Sequence, residues 1–149
     1  MKTYIGTKVI QAEPAYRCDG KVYPKTGPYP RKMNLEDGYK VRYQDGYESW
    51  SQKDTFEEAY RPTNGLPFGL AIEAAKKGKK IARKGWNGKD QYVELATGIS
   101  YTDRNGQVIN VEHASIGNHA LAFVGTSGVQ MGWLASQADM LADDWVIVE

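Results

Sequence analysis

The chain of 149 residues has one cysteine, Cys18, and two histidines, His113 and His119. A lone thiol cannot close an internal disulfide, which fits a reducing compartment. Two histidines six positions apart need two more ligands brought in by folding before they could hold a metal, so each is read as a surface or satisfied histidine. The sequence contains no Cys-x-x-Cys, no His-Glu-x-x-His and no Gly-x-x-x-x-Gly-Lys-Ser/Thr run. Asp143 and Asp144 are adjacent, but the side chains of neighbours point apart, which excludes paired acid–base work. There is no run of eighteen apolar residues, so no membrane span is expected. Residues 1–8 lack the apolar core of a signal peptide. The net charge is only +1, too small an excess for a duplex nucleic-acid groove. Together these absences favour binding over catalysis and call for no metal and no cofactor.

What is present is a core rich in aromatics and an uneven distribution of charge. The chain is 41% hydrophobic with four Trp and ten Tyr, enough for one domain or two small ones. No Lys or Arg follows Arg104, while Asp139, Asp143, Asp144 and Glu149 close the chain. Seven of the fourteen residues from Lys76 to Lys89 are basic. Such a stretch can attract phosphates, or it can be a solvated strand edge that lysines protect from aggregation.

The segment from Phe68 to Lys89 is the most informative. Phe68, Ala71, Ile72 and Ala75 recur at helical spacing, with Pro67 at the first helical position and Gly78 as a left-handed stop. Lys79 to Trp86 reads as a short basic strand with Ile81 and Arg83 on one face, Trp86-Asn87-Gly88 as a turn, and Gln91 to Ala96 as the next strand. At the C-terminus, Ser136 with Asp139 forms a capping-box pattern for a short helical turn to about Ala142. Trp145 to Val148 is β-branched or aromatic and reads as a final strand with Trp145 in the core. Trp133 lies in the loop before the cap and suits core and site equally.

The first half has its own pattern. Lys2 to Ala12 is strand-like, and Tyr16 to Leu35 reads as loop because Gly20, Pro24, Gly27, Pro28 and Pro30 interrupt it. Gly38 to Tyr43 alternates as a strand, Asp45-Gly46 is a hairpin signal, and Ser49-Trp50 continues the second arm. Ser51 with Asp54 is expected to cap a helix from Asp54 to Tyr60, ended by Pro62. Thr63-Asn64-Gly65 reads as a short hinge. This half resembles a small module that recurs in phage proteins and implies no function.

The segments Phe68 to Gly78, Arg83 to Gly88 and Trp133 to Trp145 resemble the phage Thoeris anti-defence "sponge" family, a small domain long without a known function. The family pattern has a Phe-x-x-Ala-Ile helix closed by Gly, an Arg-x-Gly-Trp-Asn-Gly hairpin and a Trp-Leu-Ala-Ser-x-x-Asp-Met-Leu-Ala-x-Asp-Trp end. The resemblance spans about residues 66–149. It implies a phage anti-defence protein of the host cytoplasm, a homo-oligomer (dimer or tetramer) with pockets at subunit interfaces. The cargo would be a cyclic ADP-ribose-type signal, or a cyclic dinucleotide, held without cleavage. On the matching motifs, Trp86 and Trp133 would stack on a base, Arg83 and Lys84 would meet phosphates, and Asn87, Gly88, Ser136 and Asp139 would supply polar contacts. The other readings are an enzyme that degrades the same signal and a phage structural or host-protein-binding module.

The expected fold is α+β: a small β-hairpin and helix unit over 1–62, then a twisted antiparallel sheet packed by short helices over 66–149.

Overall fold

The computed structural model describes residues 1–31, 34–86, 90–110 and 119–149, residue 110 by its backbone alone. They form antiparallel sheets with a few short helices, the α+β class expected. The chain divides into two compact units, Met1–Arg61 and Pro62–Glu149.

The first unit holds β1 (Gln11–Cys18), β2 (Lys21–Pro24), β3 (Glu36–Arg42), β4 (Glu48–Gln52) and α1 (Lys53–Ala59). Its sheet runs β2-β1-β3-β4, antiparallel throughout, over a core of Ala15, Cys18 and Val41. The β3–β4 hairpin turns at Asp45-Gly46 as its residues require, with Gly46 at φ +86°. Phe56 stacks on Tyr39 at 4.1 Å between ring centroids, and Tyr60 lies 5.0 Å from Phe56. The Tyr39 hydroxyl also donates to Glu57 at 2.9 Å, which fixes α1 over β3.

Three expectations for this half need correction. The strand expected over Lys2 to Ala12 begins only at Gln11, because Gln11 pairs with Arg42 at the end of β3 and the ladder has no partner beyond it. The stretch read as loop from Tyr16 contains the end of β1 and all of β2. Asp19 (φ +50°) and Gly20 (φ +76°) join them in a two-residue turn that the Gly and Pro count concealed. The prolines are tolerated by position. The Pro14 carbonyl accepts from Lys25 N–H on the side away from β3, so its missing N–H costs the β3 ladder nothing, and Pro24 ends the edge strand. Finally, α1 begins at Lys53 after an N-cap at Gln52 without a side-chain bond. Ser51 remains in β4 opposite Tyr39 and does not cap.

The second unit holds α2 (Phe68–Lys76), β5 (Lys80–Arg83), β6 (Tyr92–Ala96), β7 (Ser100–Thr102), β8 (Val108–Asn110), β9 (Ala120–Gly125), β10 (Gly128–Met131), α3 (Gln137–Leu141) and β11 (Trp145–Val148). Five strands form one antiparallel sheet in the order β10-β9-β6-β5-β11, and β7 with β8 makes a separate hairpin. The final strand thus returns beside β5, with Trp145 opposite Arg83 and Ile147 opposite Ile81. Helix α2 lays Ala71, Ala74 and Ala75 on this sheet, and Gly78 closes it at φ +84° as expected. Pro67 stands at the N-cap, one position before the place its sequence suggests.

The core joins Leu66, Ala71, Ala74, Ala75, Ile81, Val93 and Trp145, with Phe68, Ile72, Trp86, Phe123 and Trp133 packed around it. Trp145 is fully buried, as expected, and truncating a residue of this size to Ala costs about 3–5 kcal/mol. The hinge read over Thr63 to Gly65 is bonded to the last strand. Thr63 carbonyl accepts from Ile147 N–H at 3.0 Å, and Leu66 N–H donates to the Trp145 carbonyl at 2.7 Å.

Candidate functional site

The candidate residues converge because β5 and β11 are neighbours. Arg83 ends β5 and faces Trp145 across the ladder. Three residues before Trp145 lies Ala142, the C-cap of α3, whose N-cap is Ser136. The capping box is complete: Ser136 hydroxyl accepts from Asp139 N–H at 3.1 Å, and the Asp139 carboxylate accepts from Ser136 N–H at 3.0 Å. The same carboxylate reaches Arg83. Arg83 Nη1 donates to Asp139 Oδ1 at 3.1 Å, while Nε and Nη2 donate to Asp144 at 2.9 and 3.3 Å. Asp139 is thus cap and ion-pair partner at once, and its own carbonyl accepts from Trp145 Nε1 at 2.9 Å.

The electrostatics follow from these bonds. Arg83 holds the Asp144 carboxyl below the usual carboxylate range. For Asp139 burial works to raise the pKa, but the Ser136 N–H and hydroxyl and the Arg83 guanidinium outweigh it and hold it low. The Asp144 and Asp139 carboxylates in turn raise the pKa of Arg83. Side-chain exposures of 25% for Arg83, 17% for Asp139 and 38% for Asp144 place this corner at the edge of the core, where ion pairs are only partly screened.

Beside it lies an aromatic cluster. The Trp86 ring meets Phe123, Trp145 and Trp133 edge-on at 5.3, 5.4 and 6.1 Å between centroids. Trp133 meets Trp145 at 6.1 Å. Trp133 is placed by two bonds to β9: its N–H and that of Gly132 both donate to the Leu121 carbonyl, at 2.8 and 3.0 Å, with Gly132 at φ +77°. Trp86 and Trp133 are half-buried, so each carries core packing and a solvent-facing surface.

Most of the second unit also matches a family model. The model for the Thoeris anti-defense 2-like domain covers residues 66–148. The chain belongs to this family. The Thoeris anti-defense 2 protein of Bacillus phage SP01 is 35% identical over 88 residues, which cover 56% of this chain and 94% of that protein. Membership supports a phage anti-defence role.

All eight candidate residues fall inside the Thoeris anti-defense 2-like domain. Six are described, and two clusters gather five of them: Trp86 with Trp133, and Arg83 with Ser136 and Asp139. Lys84 is exposed next to Arg83, its N–H donating to the Asp144 carbonyl at 3.2 Å. Asn87 and Gly88, with the turn expected there, lie outside the described residues, as does His113. Sequence reasoning missed Asp144 as the fork-like partner of Arg83, and Phe123 as a wall of the aromatic cluster. The signal for Asp144 was present in the acidic end of the chain against a basic strand, but only the β5–β11 pairing connects them. Phe123 lies between Gly88 and Trp133, outside the three segments that carry the resemblance. Among the described residues, no helix is long and apolar enough to cross a membrane.

Proposed function

We propose that the protein binds a cyclic nucleotide signal of the cyclic ADP-ribose type in the host cytoplasm and holds it without cleavage, so that the defence effector never receives it. The observation that carries this reading is the meeting of the two best-matched motif segments. Trp86 lies beside Trp133, and Arg83 beside Asp139, across more than forty residues of sequence. A nucleotide pocket needs an aromatic face for the base, a cation or N–H groups for phosphates, and acceptors for sugar hydroxyls. Trp86 and Trp133 supply the face, exposed Lys84 a cation, and the Ser136–Asp139 cap and Asp144 the acceptors. Cyclic dinucleotides offer the same chemical groups and form the second ligand class.

The protein acts in this reading as a homo-oligomer. Leu134 and Leu141 are 88% and 78% exposed beside the site, and Val129 and Met131 of the edge strand β10 are exposed as well. A second copy covering these side chains would also enclose the half-open aromatic cluster.

The test is recovery. Purified protein is mixed with cyclic ADP-ribose isomers and cyclic dinucleotides, separated from unbound ligand and denatured by heat. The expected result is depletion of one signal from solution and its return chemically intact. Return of linear ADP-ribose identifies a degrading enzyme instead. Capture of a host protein with no nucleotide bound identifies an interaction module. Trp86→Ala should weaken binding by tenfold or more in protein that still folds, since a stacked base contributes roughly 1–3 kcal/mol.

A further inference from the structure

We propose that Asp144, with Asp139, turns the Arg83 corner of the site into a receptor for sugar hydroxyl groups and a barrier to phosphate; the inference rests on the nucleotide reading above. All three guanidinium nitrogens of Arg83 are bonded to carboxylates, Nε and Nη2 to Asp144 and Nη1 to Asp139. One cation therefore stands between two anions, and these three groups sum to about −1 when ionised, with the Lys84 ammonium acting on Asp144 from the next position along the chain. A phosphate that approached the remaining Arg83 N–H groups would meet two carboxylates at the same range. A hydroxyl meets no such opposition.

The acceptor capacity is unevenly left. Asp139 is 17% exposed, and its Oδ2 already takes both the N–H and the hydroxyl of Ser136. Asp144 is 38% exposed, and each of its oxygens accepts a single bond from Arg83. An ionised carboxylate has about four lone-pair sites, so Asp144 keeps acceptor positions that face solvent. Arg83 holds this carboxyl ionised. The corner adjoins the aromatic cluster through Trp145, which faces Arg83 in the ladder and lies 5.4 Å from Trp86 between ring centroids. In this proposal a base on the tryptophans directs its ribose to the Asp144 carboxylate and its phosphates to the Lys84 ammonium, whose backbone N–H bonds the Asp144 carbonyl. Arg83 becomes a positioning residue for Asp144 and Asp139, and the phosphate role expected for it passes to Lys84.

The experiment compares two probes, cyclic ADP-ribose and its 2′-phosphate, by titration calorimetry on the full chain. The expected result is that the unphosphorylated probe binds at least tenfold more tightly. Asp144→Asn keeps the shape and removes the charge, and should reduce that preference to threefold or less. Asp144→Glu keeps the charge and should retain the preference. A purely structural loss lowers both affinities together and leaves their ratio alone, so the ratio is the decisive quantity. The inference is overturned if the wild-type protein binds the phosphorylated probe as well or better, a comparison that needs no variant to fold. An unchanged ratio in folded Asp144→Asn overturns it too. Binding of neither probe removes the cyclic ADP-ribose reading itself, and this inference with it.

Discussion

At Gly38 there is no room for a methyl group. A Cβ there would fall on the Ser51 carbonyl oxygen and lie 2.7 Å from the Trp50 ring. The carbonyl belongs to the β3–β4 ladder and cannot yield. Gly38→Ala should therefore destabilise the first unit by about 1–3 kcal/mol or more, measured by denaturant unfolding. Gly69, in the first turn of α2, has nothing within 4 Å of its missing Cβ. Gly69→Ala should act the other way and add up to about 1 kcal/mol, since Ala is the better helix former. Equal effects of the two changes would refute the packing argument. The sequence shows two ordinary glycines here. What separates them is which aromatic ring lies above, and that follows from strand register, which no local pattern contains. Arg83 makes the same point. Its sequence reads as a phosphate-seeking cation in a basic stretch, but Asp139 and Asp144 arrive from more than fifty residues away and take its nitrogens.

At the level of elements, the self-contained signals were legible. Helix α2 could be read from its apolar spacing and Gly78, the β3–β4 hairpin from Asp45-Gly46, and α3 from its capping box, because each is fixed by contacts within a few residues. Strands β7 to β10 and the cap of α1 could not be read, because partner strands decide them. Ser51 had the right neighbour for a cap and was kept in β4 by Tyr39. The Ser136 cap can be tested directly. Ser136→Ala should cost about 1 kcal/mol and lower the melting temperature of the second unit. The pH dependence has a definite sign. Asp139 and Asp144 have native pKa values below their unfolded ones, so their contribution is complete above the ordinary carboxylate range and is lost as pH falls through the native values. These groups should leave the melting temperature of residues 62–149 unaffected between about pH 5 and 8 and lower it below about pH 4. A fall that Asp139→Asn and Asp144→Asn leave unaltered would assign the acid sensitivity to other groups.

At the scale of the whole molecule, the two compact units part at Arg61 and Pro62, and the family domain starts at residue 66. We expect a fragment of residues 62–149 to fold by itself and to bind ligand as the full chain does. The starting point matters, since Thr63 carbonyl accepts from Ile147 N–H at 3.0 Å. A fragment from residue 66 loses that bond and should be less stable by about 1 kcal/mol, as thermal unfolding would show. An insoluble or inert 62–149 fragment, with the full chain active, would make the first unit part of the core or the site. The sequence marked this boundary through Pro62 and the Thr-Asn-Gly run, but it suggested a hinge where the structure has bonds to the last strand.

The crowding of Trp86, Trp133 and Trp145 has an optical consequence. Three indoles whose centres lie 5.4 to 6.1 Å apart, edge to face, share their excited states. At these distances the near-ultraviolet dichroism of the second unit is expected to carry the coupling of the three indoles. A ligand stacked on Trp86 or Trp133, as proposed, would change this coupled signal, which near-ultraviolet dichroism would read directly.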